Sequence, residues 1–235
     1  SDPNGNRMGR RGERAFPGRI GIATGSDVGS NGATFGGVRM PGNGTVRPND
    51  TGTGAPRRAG LVVGNPVADA VHQDGVPVRR ACGGTATYAT LALRALGLDA
   101  LLVGAVGDDH ADMLRAPLAA AGVALAGLRV DGGPSTAYVL DYDGATGERR
   151  VRLQHRGPPV RPGDLPDLPP GAAFVHVGAV AGEVLPETVA RLAAWGLPLG
   201  VDLHVLRRFA DDGAVRLGDA AATGIDFGLF DTIKG

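Results

Sequence analysis

An α/β fold with a mostly parallel sheet and a small antiparallel β appendage is the architecture this sequence predicts. Three observations carry it. Short apolar runs alternate with helical stretches from about residue 59 onward. A glycine pair, Gly83-Gly84, opens a helix of small and apolar residues that Gly97 closes. Two alternating stretches flank Asp143-Gly144-Ala145-Thr146-Gly147, which is a hairpin signature. Strands alternating with helices belong to a parallel sheet covered on both faces. The hairpin stands outside that alternation.

The elements follow in order. Residues 1–60 hold 15 of the 40 glycines and show little hydrophobic periodicity. Such a stretch buries too little apolar surface to offset its ordering entropy. Residues 1–58 are therefore expected to be a disordered Gly/Arg-rich extension, with the domain filling 59–235. Leu61–Val63 reads as a buried strand ending at Gly64. Val76–Cys82 reads as a short extended segment. Gly84–Leu96 is a helix, with Tyr88, Leu91, Ala92 and Ala95 at helical spacing. Ala100–Val106 is an apolar strand. Asp109–Ala121 is a helix that Pro117 should kink or split. Thr136–Asp141 and Arg149–Leu153 form the hairpin arms. Arg156–Gly171 is a Pro-rich loop. Ala173–Val177 is a strand, Pro186–Trp195 a helix, Pro198–Leu203 a strand and Leu217–Ala222 a last helix.

Composition narrows the function classes. The chain has 235 residues and no net charge, but its halves differ. Residues 1–60 carry nine arginines against four acidic residues, net +5, and the remainder 15 basic against 20 acidic, net −5. The basic segment lacks the dense charge and interleaved aromatics of a nucleic-acid binder. The lone Cys82 excludes a disulfide framework and a Cys-cluster zinc site. A reduced, cytoplasmic setting is expected. No run of about 18 apolar residues predicts a membrane span. No G-x-G-x-x-G follows a strand, and no G-x-x-x-x-G-K-[ST] loop occurs, since the only lysine is Lys234.

Four places hold candidate chemistry. Asp69 follows the first strand, where ligands of open α/β sheets bind, and its carboxylate can accept from two hydroxyls at once. A surface aspartate or helix cap is the plainer alternative. Gly83 and Gly84 leave room for a ligand against the backbone and open a helix N-terminus; a simple strand-to-helix turn would also use them. Gly107-Asp108-Asp109 reads as a helix start favoured by the macrodipole. Arg149, Arg150 and Arg152 lie on the second hairpin arm, either as an edge strand guarded by charge or as a lid contact to an anionic or polyhydroxyl ligand.

The strand before Asp69, the Gly-Gly helix start and the strand running into Gly107-Asp108-Asp109 together resemble the N-terminal half of the ribokinase/PfkB family of sugar and nucleoside kinases. The resemblance covers roughly residues 60–230. It implies a ribokinase-like α/β sandwich with a small β lid over the substrate, here C-terminally incomplete. It implies Asp69, Gly83, Gly84, Tyr88 and Arg150 as substrate-binding residues. Val175–Gly178 and Gly200–Leu203 look like later sheet strands bordering the site. A sugar or nucleoside acceptor, ATP and Mg²⁺ for the full-length enzyme, and a homodimer formed through the lid are implied as well. Many members carry an asparagine where this chain has Tyr88, which leaves the sugar open and a ribose preference in particular. The Asn-x-x-Glu motif has no match near Asp231-Thr232-Ile233-Lys234. The D-T-x-G-A-G-D segment, which supplies the catalytic base and an anion hole, does not occur. The chain alone is therefore expected to lack a catalytic base and an ATP site. A non-catalytic sugar-binding or regulatory module, and an unrelated nucleotide-cofactor α/β enzyme, remain the alternatives.

Overall fold

The computed structural model describes residues 58–235. The extension expected over residues 1–58 lies outside the described residues, save for Arg58. In chain order the elements are β1 (Ala59–Val63), β2 (Val67–Gln73), β3 (Val76–Gly83), α1 (Thr85–Ala95), β4 (Asp99–Gly107), α2 (Ala111–Ala120), β5 (Ala124–Asp131), β6 (Ala137–Tyr142), β7 (Arg149–His155), β8 (Ala172–Val177), α3 (Pro186–Ala193), β9 (Leu199–Asp202), β10 (Arg207–Phe209), β11 (Val215–Leu217) and β12 (Thr232–Lys234). Short 3₁₀ turns fill several of the gaps between them.

Six strands form one sheet in the order β12-β9-β8-β1-β4-β5, and every pairing in it is parallel. Residues alternate between its faces, as a strand's period of two requires. Leu61, Val63, Val175, Val177, Leu199 and Val201 pack with Val189 and Leu192 of α3 on one side. Val62, Leu102 and Val106 pack with Ala86 of α1 and with Leu114 and Leu118 of α2 on the other. These core side chains are essentially solvent-free, so their burial is the main favourable term for this layer.

A second sheet of four strands, ordered β3-β2-β6-β7, forms the lid. Its outer pairs are antiparallel, but β2 and β6 at its centre run parallel. The hydroxyl of Tyr138 donates to the Val180 carbonyl at 2.6 Å and ties the lid to the loop after β8. The small β10–β11 hairpin packs against β7 at an Arg152–Ala214 bridge.

Several expectations need correction. Asp69 does not follow the first strand in a loop; it lies inside β2, a strand the sequence reading passed over. The Asp interrupts an apolar run but fits a strand whose faces differ. Helix α1 buries Ala86, Thr87 and Thr90, while Tyr88 is 53% exposed. The reason is closeness: Ala86 sits against the backbone of Gly178, where a Cβ on that glycine would lie 2.8 Å from the Ala86 nitrogen. Small residues therefore face the sheet. Pro117 neither splits nor ends α2, which runs through it to Ala120. Leu217–Ala222 is no α-helix: Leu217 ends β11, and Ala221–Thr223 makes one 3₁₀ turn. Strand β5 was also unforeseen.

Candidate functional site

The turn from β1 into the lid builds the site. Asn65 anchors it: its Oδ1 accepts from the Ala105 N–H at 2.8 Å, and its Nδ2 donates to the Pro158 carbonyl at 2.8 Å. Two residues into β2 the chain presents Asp69, which is only 8% exposed. Among the described residues no hydrogen bond reaches its carboxylate, and burial pushes the carboxyl up to about 6. The guanidinium charges of Arg149, Arg207 and Arg79, in that order, pull it partway back.

Gly83 lies directly against this carboxylate, and a Cβ there would strike Oδ2 of Asp69. Gly84 has φ +91° and caps α1; a Cβ on it would sit 2.6 Å from Cγ2 of Val67 and 3.3 Å from the Asn65 carbonyl oxygen. Both glycines are thus required by the protein's own packing. No side chain caps α1, so its first N–H groups are left for water or a ligand. Tyr88 stands one turn along, and its phenol is pushed up by burial and then by the Asp69 charge.

The structure therefore brings Asp69, Gly83, Gly84 and Tyr88 into one corner. It does not bring Arg150 there. Tyr138 of β6 pairs with Asp69 on one side and Leu153 on the other, so these three share a lid face. Arg149, four residues before Leu153, points to that face, and Arg150 points to the opposite one. Arg150 pairs with Asp141 and acts on Asp143 in the hairpin turn.

Other residues of the corner escaped the sequence reading. Arg207 of β10 lies 5.9 Å from the Tyr138 ring centroid, and Phe209 packs on that ring at 6.1 Å. Glu183 is 4% exposed and closes the loop after β8 on itself. Its carboxylate accepts from Val180 N–H (3.1 Å), Ala181 N–H (2.7 Å) and Asn65 N–H (3.3 Å). A glutamate inside Gly178-Ala179-Val180-Ala181-Gly182-Glu183, just after an apolar strand, was the available signal. Asp109 accepts from the N–H (2.9 Å) and hydroxyl (2.7 Å) of Ser135. It pins the connection into β6, while His110 caps α2.

At the far side of the sheet Asp202 accepts from Lys234 Nζ at 3.0 Å and contacts His204. These hydrogen bonds outweigh its burial and hold its carboxyl down at about 2. Cys82 is buried against the Leu114 carbonyl and Thr87, and burial pushes its thiol up to about 11, away from reactivity. Among the described residues no group of three or more His, Cys, Asp or Glu stands ready to hold a metal ion.

Comparison with known proteins gives a consistent picture. Residues 60–217 match the pfkB family carbohydrate kinases. An inositol 3-kinase of Arabidopsis thaliana is 30% identical over 174 residues, covering 72% of this chain and 47% of that protein. The inositol 3-kinase of Oryza sativa subsp. japonica is 32% identical over 169 residues, covering 68% of this chain and 41% of that one. The chain thus spans about half the length of the curated relatives it matches. Among solved structures, a pyrophosphate-dependent kinase in the ribokinase family, complexed with a pyrophosphate analog and myo-inositol, superposes with a TM-score of 0.55 at 16% identity. That match covers 67% of this chain and 54% of the other, and it shows the ribokinase-like fold.

Proposed function

We propose a function on one established premise: this chain belongs to the pfkB family of carbohydrate kinases. Its described residues bind the hydroxyl-bearing acceptor of a phosphoryl transfer, a sugar or a cyclic polyol of the inositol kind. The observation that carries this is the Asp69 carboxylate, buried yet without a hydrogen-bond partner among the described residues. A carboxylate largely desolvated and without a protein partner is left to water, which a ligand's hydroxyls can replace. Two vicinal hydroxyls supply the two donors it lacks. The open N-terminus of α1 and the half-exposed Tyr88 border the same corner and can take the remaining ring oxygens.

The donor side of the reaction is assigned elsewhere. ATP with Mg²⁺ is the donor that the family implies, and it would supply the phosphoryl group. Transfer needs a base on the acceptor hydroxyl and preorganised donors around the moving charge. No D-T-x-G-A-G-D segment occurs in the 235 residues. We therefore assign to them the orienting of the acceptor and the exclusion of water from it. The same geometry serves a binding-only module, and turnover separates the two.

Calorimetric titration of the chain with a panel of polyols, sugars and nucleosides tests the reading. Whichever ligand binds is expected to lose about 1.5–3 kcal/mol of affinity in Asp69→Asn, the range for hydrogen bonds to a charged group. Unchanged affinity removes Asp69 from the site. An assay of the chain with ATP and Mg²⁺ is expected to show no turnover; rates of about 1–100 s⁻¹, ordinary for kinases, would locate a catalytic centre within these residues.

A further inference from the structure

We propose that His110 is a positioning residue for the acceptor site, a latch that holds the lid strand β3 against α2 while its imidazole is neutral and releases it once protonated. The inference rests on reading Asp69 as the acceptor-binding carboxylate.

β3 is the outer strand of the lid, hydrogen-bonded to β2 alone. Its side chains alternate between two faces, so Arg80 and Cys82 share one. Both rest on the start of α2. The Cys82 thiol donates to the Leu114 carbonyl at 3.5 Å. One helical turn earlier, Arg80 Nη1 meets His110 Nε2 at 2.5 Å. Residues 76–80 are exposed, so the Arg80 contact is the outer of the two. Just beyond Cys82, Gly83 lies against the Asp69 carboxylate.

The Arg80 contact selects one protonation state. A guanidinium only donates, so Nε2 accepts and the single ring proton sits on Nδ1. Nδ1 is buried, has no hydrogen-bond partner among the described residues, and lies 3.3 Å from Oδ2 of Asp109. Desolvation pushes the Asp109 carboxyl up, but the hydroxyl and N–H of Ser135 outweigh it and hold the group below the usual carboxylate range. Asp109 therefore stays ionised while an imidazole titrates, ordinarily between pH 5 and 8. Protonation puts a hydrogen on Nε2 that faces the Arg80 donor. The new charge is repelled by Arg80 and drawn to Asp109, so the ring keeps the core contact and gives up the lid contact. Asp108 and Asp112 flank His110 along the chain, and Arg79 lies on the opposite face of β3. None of these three forms an ion pair among the described residues. Loss of the Arg80 contact loosens β3 as far as Cys82, next to the Gly83–Asp69 packing that shapes the acceptor corner.

Three measurements on the 235-residue chain test this. Side-chain nitrogen NMR at about pH 8 is expected to find the His110 proton on Nδ1; a proton on Nε2 would overturn the proposal. Hydrogen exchange of the β3 amides, corrected for intrinsic rates, is expected to lose about threefold or more of its protection between about pH 7.5 and 5.5. In His110→Gln that loss should vanish, because the amide oxygen accepts from Arg80 at either pH. Calorimetry over the same interval uses myo-inositol, glucose and adenosine. Affinity is expected to fall about threefold further in wild type than in His110→Gln, since titration of Asp69 is common to both. Arg80→Met is expected to lose about threefold in affinity at the higher pH and to abolish the wild-type excess, which keeps the test open if His110→Gln does not fold. Asp69-dependent binding with the same pH profile in wild type and either variant would overturn this inference alone. No binding by any of the three compounds, or binding indifferent to Asp69→Asn, would overturn the acceptor-site reading and this one with it.

Discussion

Two buried carboxylates, one on each side of the corner, have opposite surroundings. Glu183 in the loop after β8 accepts from three backbone N–H groups and draws Asn65, Val180 and Ala181 together. Asp69 in β2 accepts from none among the described residues. Burial pushes both carboxyls up. At Glu183 the fold answers that cost with its own amides, so the charge shapes the loop. At Asp69 the cost is left standing, and only guanidinium charges at a distance offset it. A buried charge met by the fold's own amides marks architecture, and one left to solvent is open to a ligand.

The contrast can be broken most forcefully at Glu183. Glu183→Ala orphans three buried N–H groups, so a stability loss of about 3–5 kcal/mol in urea unfolding is expected. A loss near zero would show that water satisfies the loop as well as the carboxylate does. Asp69→Asn is expected to act in the opposite direction. The folded carboxyl is raised from 3.8 to about 6, so the folded state holds its proton more tightly than the unfolded state. That contribution is complete below about pH 4 and is lost as pH climbs through 6. Unliganded wild type should therefore weaken by up to about 3 kcal/mol across this window, and Asp69→Asn should lack that share of the slope. Thermal midpoints of both proteins from pH 4 to 8 decide it; parallel curves would mean Asp69 is solvated in the folded protein. A smaller effect is expected at Gly84→Ala, where φ +91° and the Val67 contact predict a stability loss of about 1–3 kcal/mol. Loss of ligand affinity at unaltered stability would instead make Gly84 a contact residue. Arg150→Gln is expected to change ligand affinity by less than about 0.5 kcal/mol, as for surface changes away from a site. A larger change would bring the outer lid face into binding.

Legibility in the sequence followed how local each signal was. The strands at Leu61–Val63 and Ala100–Val106 announced themselves as unbroken apolar runs, and the lid hairpin through its turn residues. β2 did not, because Asp69 places a charge in the middle of its short apolar stretch and His72-Gln73 end it. β5 was hidden by composition: Ala119–Gly127 is so rich in Ala and Gly that it bears no strand period. The buried side of α1 was misjudged because a helix normally turns its largest apolar residues inward, whereas this one approaches Gly178 too closely for any but small ones. Asp69 and the glycine pair could be named as candidates from their spacing along one stretch of chain, and consecutive strands bring them together. Arg207 and Glu183 could not, since the distance from Asp69 to either exceeds 100 residues in sequence and only the fold joins them.

The parallel pairing at the heart of the lid has a kinetic consequence. β2 and β6 are neighbours in space, yet α1, β4, α2 and β5 all lie between them in the chain. A local hairpin can zip within microseconds, but this pair must wait until an intervening loop of some sixty residues has closed. The first three sheet strands and two helices accomplish that closure when they pack. The lid is thus an element whose order depends on prior assembly of the core beneath it, and it should be the last part of this chain to gain hydrogen-exchange protection during refolding and among the first to lose it.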